Sequence, residues 1–183
     1  MAMPDFDDVV ITGLMASGKS TTARRLAERL GWAWRDSDAE IQSDTGKTVR
    51  ELRKIEGVET MHKREHAALL HALQDPTHTV ISAAASVIDD AACRAAMADP
   101  KVAVVWLHGD PKVLAARFAS KDHHRPSYGE SVQAFLAEQA ARREPMVPTI
   151  GARVVDVDDL SREAVFDKVL VALGLDDGAN APS

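Results

Sequence analysis

The chain has 183 residues, 45% of them apolar and 27% charged, with 28 acidic against 22 basic side chains and a formal net charge of −6. That is enough sequence for one domain with a sizeable core, and the acidic balance with scattered basic residues argues against a duplex nucleic-acid binder. A single cysteine, Cys93, excludes an internal disulfide, and no apolar run reaches the length of a membrane span.

Residues 1–8 are acidic and lack the basic and apolar stretches of a signal peptide, so a cytoplasmic protein is expected, a monomer or weak homodimer. The β-branched run Val9, Val10, Ile11, Thr12 predicts a buried strand. Residues 13–18 read as a loop. From Lys19 the spacing of Ala23, Leu26, Ala27 and Leu30 predicts a helix that Gly31 ends. Residues 32–35 predict a second strand. Residues 40–73 are helical in character, broken near Thr45-Gly46 and at Gly57. A third strand is expected at 79–82, a helix carrying Cys93 at 89–98, and the plainest buried strand at 102–107. Pro111 opens a helix through Phe118, with Asp110 as its N-cap. The stretch 120–130 is charged and holds a proline and a glycine, which predicts a mobile loop. A helix over 131–144, a fifth strand over 153–157 and a last helix over 162–173 follow, and the tail 175–183 is expected to fray. Trp32, Trp34 and Trp106, on or beside strands, are expected in the core.

Strands alternating with helices predict a single α/β domain with a mostly parallel sheet covered on both faces. Ligands of such sheets bind at the carboxyl ends of the strands.

Gly13-Leu14-Met15-Ala16-Ser17-Gly18-Lys19-Ser20 is a full match to G-x-x-x-x-G-K-[ST], set between a predicted strand and an amphipathic helix. Glycines let the backbone wrap closely, so that N–H groups point inward at phosphate oxygens, and the following helix adds its positive end. Gly13, Met15, Ala16, Ser17, Gly18, Lys19, Ser20 and Thr21 are therefore candidates for binding ATP. Lys19 is placed to reach the β- and γ-phosphates and the Ser20 hydroxyl to ligate Mg2+. Asp36-Ser37-Asp38 follows the second strand at its carboxyl end. Carboxylates there hold magnesium or orient an attacking hydroxyl, and an aspartate there also caps a helix; Asp38 is a candidate for both duties.

These motifs resemble the opening of the shikimate kinase family. The similar stretch runs over residues 11–39: phosphate loop, amphipathic helix, Leu30-Gly31-Trp32 and the aspartate pair. Thr45-Gly46-Lys47-Thr48-Val49-Arg50-Glu51-Leu52 and Glu56-Gly57 fit as well. The resemblance implies a three-layer α/β/α fold with five parallel strands in the order 2-3-1-4-5 and a mobile lid. It implies that Asp38 contacts the acceptor, Asp36 lies near the metal, Arg125 of Arg125-Pro126 acts from the lid, Arg143 contacts the acceptor, and Arg117 stacks near adenine. Two departures fall where the acceptor binds. The family's F-R-x-x-E motif reads Met61-His62-Lys63-Arg64-Glu65, which puts His62 in place of an arginine. Its T-G-G-G turn reads Ala83-Ala84-Ala85-Ser86, so that Ala84 and Ala85 bring Cβ atoms to the acceptor. The C-terminal half is similar to the gluconate kinases at Val105-Trp106-Leu107-His108-Gly109-Asp110 and at Val154-Val155-Asp156-Val157-Asp158, although their H-P segment is missing.

The reading is a kinase that moves the γ-phosphoryl group of MgATP to a hydroxyl of a small hydroxy acid or carbohydrate-like acceptor, with Lys19, Asp36, Asp38 and Arg125 as catalytic residues. The alternatives are a gluconate-type kinase and a nucleotide-binding protein without transfer. His62-Lys63-Arg64-Glu65-His66 also matches H-x-x-E-H formally, a zinc-peptidase signature for which no third protein ligand is identifiable.

Overall fold

The computed structural model describes residues 5–120 and 131–176. Five strands, β1 (Asp8–Gly13), β2 (Ala33–Asp36), β3 (Thr79–Ser82), β4 (Val102–His108) and β5 (Arg153–Asp156), form one sheet in the order β2-β3-β1-β4-β5. Every pairing is parallel. The helices are α1 (Lys19–Leu30), α2 (Ser37–Thr45), α3 (Val49–Glu56), α4 (Val58–Ala72), α5 (Ala91–Met97), α6 (Pro111–Ser120), α7 (Val132–Arg143) and α8 (Arg162–Leu173).

The burial of each strand follows from its place in the sheet. β1 and β3 lie inside the sheet beneath helices on both faces, and every residue in them is buried. β2 and β5 are the edges. Trp34 on β2 is 42% exposed, so the core position expected for it does not hold: an edge strand turns one face outward. Trp106 on β4 is fully buried, while Trp32 packs between the edge of Phe6 and the stacked ring of His78.

Local signals set the helix ends. Gly31 takes the left-handed conformation that closes α1, its N–H bonding to the Ala27 carbonyl. Gly46 closes α2 in the same way, and Gly57 separates α3 from α4. Thr48 and Glu51 form a reciprocal capping box at the start of α3. The helix expected from residue 89 begins instead at Ala91, because the Asp90 side chain accepts the Cys93 N–H as its N-cap. Two 3₁₀ helices, Ala85–Asp89 and Glu144–Ile150, stand where sequence periodicity gave no sign of them. Such short turns carry too few residues for an apolar stripe.

Phe6, β1, β3, β4 and the buried faces of α1 and α8 share one continuous core. Leu175, in the stretch expected to fray, is buried and its N–H bonds to the Leu170 carbonyl. Residues 121–130, with Arg125 and most of the expected lid, and residues 177–183 lie outside the described residues. Among the described residues no helix is long and apolar enough to cross a membrane.

Candidate active site

The loop between β1 and α1 is shaped by backbone that few side chains tolerate. Gly13 has φ 143°, and a Cβ on it would sit 2.5 Å from the Leu107 carbonyl oxygen of β4, so only glycine fits. Ala16, at φ 66°, and Gly18, at φ 101°, continue the wrap. For alanine this conformation costs about 1–3 kcal/mol, strain of a kind that collects at ligand clamps. Gly18 precedes α1 and supplies no side-chain cap, so the first N–H groups of the helix face the loop's concavity. Ser17 Oγ is buried and has no hydrogen-bond partner among the described residues. An orphaned hydroxyl amid these N–H groups fits a bound phosphate.

Lys19 folds back over the loop, its Nζ donating to the Leu14 carbonyl at 3.0 Å. Burial lowers its pKa, and the negative charges of Asp38, Asp36 and Glu65 oppose that shift. Ser20 Oγ lies 3.2 Å from Ser82 Oγ. Ser82 in turn stands opposite Asp36 in the β2–β3 register. Ser20 and Asp36 therefore flank one residue at the carboxyl ends of neighbouring strands. Hydroxyl and carboxylate oxygens are the hard donors Mg2+ takes, the rest of its shell coming from phosphate and water.

The two aspartates divide their duties. Asp36 ends β2 and caps α2, its Oδ1 accepting the N–H groups of Asp38 at 3.1 Å and Ala39 at 3.2 Å. The cap expected of Asp38 thus belongs to Asp36, because α2 begins at Ser37 rather than near Ala39. Asp38 lines a cleft of about 780 Å³ with Lys19. Burial raises its pKa, Lys19 pulls it down, and Asp36 pushes it up.

The same cleft brings together Met15, Ala16, His62, Ala84, Ala85 and Arg143, all singled out from sequence. His62 is half-buried, and burial first, then the charge of Arg143, lowers its pKa toward the neutral imidazole. Arg143 is 4% exposed and gripped by Asp89, with Nη2–Oδ2 at 2.7 Å and Nε 3.2 Å from both oxygens. Burial acts to raise the Asp89 pKa, but the hydrogen bond and charge of Arg143 outweigh it and hold the carboxyl below its usual range.

Sequence reasoning missed Glu65 and Asp89. Glu65 is buried on the cleft wall, where it accepts a hydrogen bond from the Ser86 hydroxyl, and burial raises its pKa. Its register in the Met61–Glu65 segment was visible; its partner was not, because Ser86 is supplied by a turn distant in sequence. His66 Nε2 lies 2.9 Å from the Ser86 carbonyl oxygen, so the second half of the H-x-x-E-H match is engaged in anchoring α4 to that turn.

A second cavity of about 350 Å³ opens on the other side of the loop. Ser17, Gly18, Thr21 and Arg117 line it, and Ala16 borders both cavities. Arg117 reaches across to donate to the Val157 carbonyl at 2.6 Å, and Arg25 stacks over the Phe166 ring at 4.4 Å. The phosphate loop thus separates a space beside Arg117 from a space beside Asp38.

The family model for shikimate kinase matches residues 15–174. The chain belongs to the shikimate kinase family. It is an ATP-dependent small-molecule kinase, a phosphotransferase with an alcohol group as acceptor. Among similar proteins, a shikimate kinase of Thioalkalivibrio sulfidiphilus is 31% identical over 168 residues, covering 91% of this chain and 87% of the relative. One of Caulobacter vibrioides is 28% identical over 165 residues, covering 90% and 81%. Of solved structures, shikimate kinase from Acinetobacter baumannii in complex with shikimate superposes with a TM-score of 0.78 at 24% identity, covering 93% of this chain and 95% of that one. A gluconokinase from Sinorhizobium meliloti superposes with a TM-score of 0.67 at 20% identity, covering 94% of each chain. At these identities the structural likeness speaks for the fold, and it extends to both families that the sequence resembles.

Proposed function

We propose that this kinase transfers the γ-phosphoryl group of MgATP to a hydroxyl of a small hydroxy acid of the shikimate class. The observation that carries the reading is the placement of Asp38 and Lys19 in one cleft with Arg143, beside a loop built for phosphate. The loop N–H groups, Ser17 and Lys19 hold the phosphates, and Thr21 and Arg117 border the rest of the nucleotide. Ser20 and Asp36 are the residues that would hold Mg2+, which when bound neutralises charge on the phosphate oxygens. Asp38 accepts the proton of the acceptor hydroxyl as its oxygen attacks phosphorus. Lys19 stabilises the charge that develops on the transferred group. Arg143 and His62 grip the acid group, Ala84 and Ala85 shape the wall, and Arg125 brings a further positive charge to the phosphates. The protein acts in the cytoplasm as a monomer or weak homodimer.

A second reading, a gluconate-type carbohydrate kinase, is favoured by the resemblance at residues 105–110 and 154–158, and His62 in place of an arginine with Ala84 and Ala85 on the cleft wall argues for an acceptor other than shikimate. ADP release from MgATP tests both readings against a panel of shikimate, gluconate, related sugar acids and cyclitols, with Lys19→Ala as control. Turnover with shikimate supports the first reading and turnover with gluconate the second. ATP binding without turnover on any compound would contradict both as stated and leave either an acceptor outside the panel or a nucleotide-binding protein that has lost transfer.

A further inference from the structure

Arg143 is the last residue of α7 and lines the acceptor side of the cleft. A guanidinium offers five N–H donors in one plane, and a buried one needs partners that fix its orientation. Asp89 provides them. It ends the 3₁₀ helix that follows β3, and it binds the Nε/Nη2 edge of Arg143 through three contacts of 2.7 to 3.2 Å. The donors this leaves are those of the Nη1/Nη2 edge.

Asp89 does not line the cleft, so whatever it does for an acceptor it does through Arg143. It also joins two walls of the site. Ala84, Ala85 and Ser86 stand on the turn that Asp89 completes, and Arg143 comes from the far end of α7. Arg142 shares the carboxylate at 2.5 Å, but its side chain is 49% exposed and does not line the cleft.

We propose that Asp89 is a positioning residue for acceptor binding, fixing the Arg143 guanidinium so that its Nη1/Nη2 edge meets the carboxylate of the acceptor. This rests on the reading of the acceptor as a hydroxy acid held by Arg143. An arginine side chain has many rotamers, and one already held in its bound geometry loses less entropy when the acceptor arrives. The sequence hides the role, since Asp89-Asp90 reads as a helix start and only Asp90 performs that duty.

The test uses shikimate and gluconate, both carboxylates, with MgATP and the full chain. Wild-type turnover of either one establishes the underlying reading. Turnover of neither, seen before any variant is made, ends that reading and this inference with it. Asp89→Asn is expected to raise the acceptor KM on the order of tenfold while kcat and the ATP KM change little. Asp89→Glu should recover part of the loss, and Arg142→Gln should leave the acceptor KM near wild type. In the background of Arg143→Ala, adding Asp89→Ala should raise the acceptor KM no further, since the two act as one unit. An unchanged acceptor KM in Asp89→Asn would overturn the proposal, as would additive effects in the double variant. A joint fall of kcat, ATP affinity and Tm would also overturn it, by assigning Asp89 a merely structural part. Should Asp89→Ala fail to fold, Asp89→Asn combined with Arg143→Lys closes the same cycle.

Discussion

Asp38 donates its backbone N–H to the Asp36 carboxylate at 3.1 Å, so the first aspartate of the pair caps α2 and the second lines the cleft. The division has a measurable consequence. Asp38→Asn leaves the cap and the phosphate loop intact and removes the group proposed to take the hydroxyl proton. Its kcat should fall by about 10²–10⁴-fold while ATP binds almost as before. Steady-state rates beside an equilibrium nucleotide titration check this, and equal loss of both would contradict the assignment. Asp36→Ala should in addition cost about 1 kcal/mol of stability through the lost cap, visible as a lower Tm.

Lys19 lines the cleft, and desolvation there lowers the pKa of its ammonium. Lys19→Ala should abolish most turnover and retain the fold, and a near-normal rate would refute the role given to it. The stability effect has the opposite sign from a usual core truncation. A lowered lysine pKa means that the native state binds the proton less tightly than the unfolded chain does. The penalty is therefore full below the folded pKa and disappears as pH rises toward the ordinary lysine value. Lys19→Met, which keeps the volume, should melt no lower than wild type near neutral pH, with its advantage shrinking in alkali. Thermal scans across pH read this directly.

The fold was legible because its signals are local and repeated. The β-branched run before Gly13, the apolar spacing of α1 and the glycines at 31, 46 and 57 each act within a few residues of themselves. Trp34 lies outside the core although the resemblance already placed the second strand at a sheet edge, because the size and apolarity of a side chain do not say which face of an edge strand is covered. The phosphate loop was legible for the same local reason, as one contiguous motif. The cleft beside Asp38 was legible only in part. Glu65 meets Ser86, and Asp89 meets Arg143, through contacts 21 and 54 residues apart in the chain, which no periodicity announces.

Cys93 offers a simple check on the packing behind the site. It is wholly buried in α5, and burial first, then its hydrogen bond with Asp90, pushes the thiol up to about 12. A thiolate is the reactive form, so the native protein should resist a thiol-specific chromogenic reagent at pH 8 and react stoichiometrically once denatured. Rapid labelling of the folded chain would contradict this packing.

Glu65 gives a pH-dependent stability prediction. Burial raises its pKa, and although the Ser86 hydrogen bond and the charges of Arg143 and Lys19 oppose the shift, the net direction is upward. The native state then binds this proton more tightly than the unfolded chain. Wild-type stability therefore falls as pH rises from the ordinary glutamate range through the folded value, and the penalty stays above it. Glu65→Gln keeps an oxygen for Ser86 and carries no charge. It should raise Tm at neutral pH, with the gain vanishing on acidification. A variant less stable than wild type at neutral pH would show that Glu65 stabilises the fold as a charged group.

His62 ties the proposed acceptor side of the cleft to pH. Burial and the charge of Arg143 lower its pKa, so the imidazole is neutral near pH 7 and becomes cationic only as pH falls through that lowered value. A carboxylate acceptor is attracted to that cation, so its KM should fall as pH drops through the lowered pKa. kcat should move the other way, because the Asp38 carboxylate, whose pKa burial raises, takes up a proton and can no longer accept one from the hydroxyl. His62→Ala separates the two effects. It should raise the acceptor KM about fivefold near neutral pH, the loss of one hydrogen bond, and flatten the pH dependence of KM while the acid limb of kcat persists. Profiles of kcat and acceptor KM between pH 5 and 8 for both proteins decide it. An acceptor KM identical in wild type and His62→Ala at every pH would remove His62 from the site.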